Sequence, residues 1–322
     1  MLAIRNKSIK SPIIIAPMAG ITNGAFRELC FEFGAGLVYT EMVSDKAIFY
    51  NNRKTMDMLE IDDNYHPISL QLFGSELDTM VYAAKILDKK TNCDFIDINM
   101  GCPVNKVVKT GSGSAMMLEE DKAVQIVKAI IENVEKPVTV KMRLGYTLKN
   151  MNYLSLAKKL EGVGVAAIAL HARTRGQMYD GHADWSHIKT LKENINIPVF
   201  GNGDVKTVDD FIRMKQETNC DAVMIGRGIV GNPFLIKEIS NYLEGKENIE
   251  ITIDDRFKYC LRHAEKLVNL KGEKLGISEM RGLAPHYISG LYNATIYKEK
   301  MNKMNTYDDL VQILDEYQTI IK

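Results

Sequence analysis

No hydrophobic run in this 322-residue sequence is long enough to cross a membrane, and Ile13-Ile14-Ile15 near the start is too short for a signal segment. The five cysteines include no C-x-x-C pair and are odd in number, which argues against a disulfide framework and a structural zinc site. Neither sign of charge is in excess. The 41 basic and 41 acidic residues cancel, so any surface for a polyanion has to be a local patch. Internal repeats, low-complexity segments and a second dinucleotide-binding motif are also missing. What remains is the composition of an ordinary soluble protein with a substantial core, 46% apolar and 25% charged. A cytoplasmic location with no membrane contact, no metal and no obligate protein partner is the default expectation.

Short apolar runs recur over the first 230 residues: Ile13-Ala16, Leu37-Thr40, Ile68-Leu72, Phe95-Ile98, Val138-Met142, Ala166-Leu170, Val199-Phe200 and Ala222-Ile225. Each ends in polar or glycine residues, and amphipathic stretches of helical length lie between them. Ser75 with Asp78 resembles a capping box opening one such helix. Glu119-Val134, Asn152-Glu161 and Val208-Glu217 form others, the last with Asp209 and Asp210 where the helix dipole favours acids. Eight strand-helix alternations of this size predict an α/β fold, a (β/α)8 TIM barrel; a doubly wound open sheet is the rival. From about Gly245 the β pattern stops and helical periodicity takes over in Asp254-Leu270, Ser278-Leu291 and Thr306-Ile321. The expected domains are a barrel over 1–245 and a small all-helical domain over 246–322. From Arg256 to Lys303 ten basic side chains face four acidic ones, with tyrosines and histidines interleaved. That stretch reads either as a solvated helix face or as a contact surface for a phosphate backbone.

In a barrel the C-terminal ends of all eight strands converge on one face, where active sites are built. Those ends carry Pro17-Met18, Glu41, Gln71, Asn99 with Cys102, Lys141 with Arg143, His171 with Arg173, Asn202-Gly203-Asp204, and Gly226-Arg227. Loop polarity accounts for Glu41 and Gln71, but poorly for a lysine, a histidine and three arginines emerging from apolar strands. Cys102 stands where a strand gives way to Lys106-Val107-Val108-Lys109-Thr110-Gly111-Ser112-Gly113-Ser114-Ala115, a segment too rich in glycine and serine to continue as strand or helix. Most free cysteines only fill space, and Cys30, Cys93, Cys220 and Cys260 fit that description. Cys102, flanked by Asn99, Gly101 and Pro103, is the candidate catalytic residue.

The glycine-rich loops after the seventh and eighth strands can hold a phosphate on backbone N–H groups. With Gln71, Lys141 and an apolar floor at Ala16-Pro17-Met18, they suggest a flat phosphorylated cofactor. Lysine beside the pyrimidine edge of a flavin stabilises the negative charge of its reduced form, so FMN fits better than a sugar phosphate. A thiol, mostly protonated at neutral pH, suits proton donation across the ring. Hydride plus proton amounts to hydrogenation of an activated C=C bond.

The chain resembles the tRNA-dihydrouridine synthases, close to the bacterial B-type branch, over essentially its whole length. The resemblance rests on Ala16-Pro17-Met18-Ala19-Gly20-Ile21-Thr22-Asn23, Thr40-Glu41-Met42-Val43, Asp97 to Pro103 and Val138 to Arg143. It continues through His171-Ala172-Arg173-Thr174-Arg175, Tyr179 to Trp185, Gly201 to Asp204 and Met224 to Gly228. It implies FMN-dependent, NADPH-fed reduction of uridine in tRNA to 5,6-dihydrouridine. In that analogy Cys102 protonates carbon 5 of the uracil and reduced flavin delivers hydride to carbon 6. Pro17, Met18, Ala19, Gln71, Lys141, His171, Asn202, Gly203, Asp204, Gly226 and Arg227 match the family's FMN positions. Asn99 and Arg143 are expected near the target base. Arg173, Arg175, Lys106 and Lys109 are expected as phosphate contacts outside the cofactor site, and Arg281 as a tRNA contact in the tail.

One stretch departs from the family. Where many B-type members carry Arg-Lys-His followed by an aromatic, this chain has Glu279-Met280-Arg281-Gly282-Leu283-Ala284-Pro285-His286-Tyr287, keeping only Arg281 and Tyr287. That change bears on the tRNA-binding mode rather than the chemistry. The rival readings are an FMN barrel acting on a free pyrimidine, as dihydroorotate dehydrogenases do, a non-catalytic RNA-binding barrel, and a sugar-phosphate isomerase barrel. The first has no use for a basic tail, and the last leaves Cys102 without a task.

Overall fold

The computed structural model describes residues 1–248 and 250–321. Eight parallel strands form the barrel: β1 (Ile13–Ile15), β2 (Leu37–Tyr39), β3 (Ile68–Phe73), β4 (Phe95–Met100), β5 (Val138–Arg143), β6 (Ala167–His171), β7 (Val199–Asn202) and β8 (Ala222–Ile225). Each pairs with its neighbours in chain order, β8 pairs with β1, and the β2–β3 pairing completes the ring. Helices follow the strands in turn: α1 (Gly24–Glu32), α2 (Asp45–Phe49), α3 (Leu77–Lys90), α4 (Glu120–Ile131), α5 (Tyr153–Gly162), α6 (Ser186–Asn194), α7 (Val208–Thr218) and α8 (Phe234–Leu243). This is the (β/α)8 TIM barrel that the alternation predicted. The other free cysteines, Cys30, Cys93, Cys220 and Cys260, are all buried.

Strand alternation creates two cores. Ile13, Ile15, Val38, Leu70, Ile96 and Val140 point outward and pack under the helices. Ile14, Leu37, Tyr39, Phe95, Ala167, Ala169, Phe200 and Met224 point inward and fill the barrel. Ile4 and Ile9 join the inner cluster from a hairpin, Leu2–Ile4 paired with Lys7–Ile9. The sequence pattern did not mark this hairpin, because three-residue strands are too short to show a period. Two local expectations also need correction. Ser75 caps nothing: its hydroxyl donates to the Thr110 carbonyl at 2.7 Å, and α3 begins after Glu76 without a side-chain cap. The segment after Cys102 does form helical turns, one at Asn105–Val108 and a 3-10 stretch at Gly113–Leu118.

Beyond the barrel lie α9 (Ile253–Lys271), α10 (Glu273–Tyr287), α11 (Ala294–Met301) and α12 (Tyr307–Ile321). Of the segment read as helical, residues 249 and 322 lie outside the described residues. Thr252 and Asp255 form a capping box at the start of α9. Phe257, Cys260, Leu267, Ile277, Met280, Tyr287 and Tyr317 build a separate apolar cluster, to which Ala25 of α1 contributes. The sequence placed α10 five residues late and passed over α11. Gly272, at φ 76°, ends α9 and lets the chain reverse at once. In α11 only Tyr297 and Met301 are buried, which leaves no apolar stripe to read.

Candidate active site

The inward alternation that fills the barrel bottom with apolar groups places polar ones toward its C-terminal mouth. β3 contributes Gln71, β4 Asp97 and Asn99, β5 Thr139, Lys141 and Arg143, β6 His171 and β7 Asn202. Register makes Gln71, Asp97 and Thr139 lateral neighbours, with Asn99 beside Lys141 one step higher. Above them opens a cavity of about 400 Å³, within the ordinary size of a cofactor site. Pro17, Met18, Ala19, Gln71, Lys141, His171, Asn202, Gly203, Asp204, Gly226 and Arg227 all line it, together with Cys102, Asn99 and Arg143. Its floor is apolar at Ala16, Met18 and Met224. Four of its lining residues, Lys141, Arg143, Lys206 and Arg227, are cationic and one, Asp204, is acidic.

Cys102 is half-buried on the loop after β4. Asn99 Oδ1 accepts from the Gly101 and Cys102 N–H groups at 3.0 and 2.9 Å. The Cys102 carbonyl accepts from the Ser114 N–H at 3.1 Å and its hydroxyl at 2.9 Å. Both backbone sides of the thiol are therefore pinned. Burial pushes the Cys102 thiol above its ordinary pKa, against weaker opposing effects of the Val104 N–H, Arg143 and Lys141. It stays protonated at neutral pH.

The Lys141 ammonium has no hydrogen-bonding partner among the described residues. Burial, and then Arg143, lower its pKa to about 8. His171 is held well below its usual pKa, first by burial and then by Arg143, Lys141, Arg173 and Arg227, so the imidazole is neutral. Its Nε2 lies 3.4 Å from Arg173 Nη1. A guanidinium only donates, so Nε2 is the acceptor and the imidazole proton sits on Nδ1. Asp204 adopts φ 57° and receives Arg173 Nη2 at 2.9 and 2.7 Å and the Ala183 N–H at 2.7 Å. Burial alone would raise its carboxyl pKa, but the Ala183 N–H and Arg173 outweigh that and hold it low. The one acidic residue lining the cavity is thus held in an ion pair with Arg173.

Several expected contacts sit elsewhere. Arg173 is 1% exposed, spent on Asp204 and on the Asp180 and Gly181 carbonyls, so it is not a surface phosphate contact. Arg143 lines the cavity but is 2% exposed, and donates to the Gly101, Thr174 and Met178 carbonyls. It braces two loops. Arg281 bridges α10 to the Met304 carbonyl and Asn305, which ties helices together rather than offering a cation to solvent. Arg175 is half-buried, bonded to Asn105 and stacked on Tyr146. Lys106 and Lys109 are exposed beside the Cys102 loop. The basic tail is likewise partly spent: Arg262 pairs with Glu32, Lys266 with Glu28, Lys271 with Glu279 and Lys300 with Glu316.

The sequence reading gave no role to Tyr179, whose ring stands at the mouth 4.3 Å from the Arg227 guanidinium and 5.4 Å from that of Arg143. It lies eight residues beyond β6, and only the fold brings that loop back over the cavity. Lys206 was missed for the same reason.

Comparison with known proteins gives a consistent result. The family model described as "Dihydrouridine synthase (Dus)" matches residues 14–322. A "Probable tRNA-dihydrouridine synthase" of Rickettsia conorii is 38% identical over 323 residues, covering 100% of this chain and 97% of that protein. The "tRNA-dihydrouridine synthase B" of Vibrio cholerae serotype O1 is 35% identical over 317 residues, 98% of each. Among solved structures, histamine dehydrogenase from Rhizobium sp. 4-9 superposes with a TM-score of 0.57 at 16% identity, over 88% of this chain and 50% of that one. A 2-naphthoyl-CoA reductase complex gives a TM-score of 0.59 at 13% identity, over 76% and 52%. At such identities these two speak to the barrel fold alone.

Proposed function

The chain belongs to the dihydrouridine synthase family, and from that premise we propose that it reduces uridines of tRNA to 5,6-dihydrouridine with bound FMN, NADPH as reductant and Cys102 as the acid. The observation that carries this reading is the pairing, on one cavity, of a half-buried thiol and an unpartnered lysine. The cationic lining suits a phosphorylated cofactor, and the apolar floor suits one face of a flat ring. Asp204 fits a phosphate site despite its charge, since Arg173 occupies the carboxylate and leaves the backbone N–H groups of that loop to the phosphate.

When bound, FMN supplies hydride to carbon 6 of the uracil. Lys141 and His171 would hold the ring, Lys141 through its ammonium and His171 through its Nδ1–H. Cys102 gives its Sγ proton to carbon 5, which saturates the C5–C6 bond, and regains a proton from water before the next turnover. The raised thiol pKa keeps that proton in place at neutral pH. Lys106, Lys109 and Arg175, around the Cys102 loop, and the helical domain over 246–322 form the side from which tRNA approaches. The target base leaves its stack to enter the mouth.

The test is to map dihydrouridine in tRNA from a deletion strain carrying wild-type protein or Cys102→Ala. Wild type is expected to restore the missing sites, and Cys102→Ala to lower the rate by about 10²–10⁴, the usual worth of a general acid. Full restoration by Cys102→Ala removes the acid assignment. A purified protein without flavin absorbance removes the cofactor.

A further inference from the structure

Beneath the cavity, and lining none of it, lies Asp97, fully buried at 0% exposure. Its Oδ1 accepts from the Thr139 hydroxyl at 2.6 Å and its Oδ2 from Gln71 Nε2 at 2.6 Å. Gln71 Oε1 in turn accepts from Asn99 Nδ2 at 2.7 Å, and Asn99 Oδ1 accepts the Gly101 and Cys102 N–H groups. The direction of this chain is dictated from below. An ionised carboxylate only accepts, so Gln71 has to turn its amino group down and its oxygen up. Asn99 then has to give its amino group to Gln71, which leaves its oxygen for the loop. If either amide flipped, a buried donor would face a donor.

We propose that Asp97 is a positioning residue for the reduction: through Gln71 and Asn99 it sets the orientation of the loop that presents Cys102 to the substrate. The inference rests on Cys102 as acid, but its structural half is independent of that role. Asp97 touches neither cavity nor thiol; through the two amides it fixes which end of each faces up, and its charge separately favours the Lys141 ammonium, an effect that Asp97→Asn removes along with Asp97→Val. The strand register supports this, because Gln71, Asp97 and Thr139 are direct neighbours on β3, β4 and β5.

The test compares holoenzymes of wild type, Asp97→Val and Asp97→Asn. Valine removes both acceptors, whereas asparagine keeps one oxygen for Gln71 and preserves the direction of the chain. Amide exchange at Gly101 and Cys102 is expected to accelerate about tenfold in Asp97→Val relative to the amides of β4. Its kcat is expected to fall about tenfold or more, with KM for tRNA held within about twofold. Asp97→Asn is expected to recover most of both losses. A residue that merely fills space would raise exchange along the whole of β4 and leave the loop amides no faster than their neighbours, and that pattern overturns the proposal. If Asp97→Val does not fold, Gln71→Met breaks the same chain one link higher, and unchanged exchange at Gly101 and Cys102 there is equally decisive. The outcomes stay separable from the acid assignment. Full activity of Cys102→Ala would remove the acid without altering the exchange result.

Discussion

At the scale of single residues the mouth holds a cation, the Lys141 ammonium, with no ion-pair partner among the described residues. Lys141 is half-buried beside Arg143, and desolvation and that guanidinium outweigh the opposing pull of Asp97, bringing its pKa down to about 8. The ammonium is charged below that value and loses its charge as pH rises through it. The rate of uridine reduction at saturating tRNA is therefore expected to decline from about pH 8. Cys102, displaced upward, is not the first group to lose its proton. Lys141→Arg keeps the positive charge and is expected to move the decline to higher pH. A rate profile identical in the two proteins would take this role away from Lys141.

At the scale of elements, the site depends on ties between successive strand ends. Arg173, two residues past β6, reaches across to Asp204, two residues past β7, and fixes the two loops against each other. Gly203, between them at φ 130°, leaves no room for a side chain, since an added Cβ would lie 2.7 Å from that of Ala183. Arg173 is buried and Asp204 half-buried, so removing the carboxylate strands a buried guanidinium. Asp204→Ala is expected to lower unfolding free energy by about 3 kcal/mol in urea titrations. A loss under about 1 kcal/mol would mean that the Asp180 and Gly181 carbonyls alone satisfy Arg173.

At the scale of the whole molecule, charge cancels overall, so recognition of a polyanion depends on which cations are left unspent. In the helical domain Arg262 and Lys266 clamp α9 to acids of α1, and among the described residues Lys258, Lys274 and Lys303 have no carboxylate partner. Beside the thiol, Lys106 and Lys109 stand free in the same sense. As phosphate contacts of bound tRNA, each adds about one unit to the slope of log Kd against log salt. Lys106→Ala/Lys109→Ala is expected to flatten that slope by about 2 units with flavin content unchanged. An unaltered slope would place the phosphate contacts elsewhere.

The alternation of apolar runs with helical stretches was enough to identify the barrel, because a strand period and a helix period are local properties of the chain. The strand ends were legible for the same reason: residues that end consecutive barrel strands converge whatever lies between them, so Gln71, Lys141, His171, Asn202 and Gly226 could be grouped before any geometry was known. Only the folded structure decided how cations and amides were used. Arg173, Arg143 and Arg281 look like Lys106 in a sequence. Which of them meets solvent depends on carbonyls and carboxylates far along the chain, at Asp204, Met178 and Met304. The orientation of Asn99 depends likewise on a carboxylate two residues earlier and a glutamine on the preceding strand. Such pairings exist only once the ring has closed, since they are set by register between strands and by burial, not by neighbours in the chain.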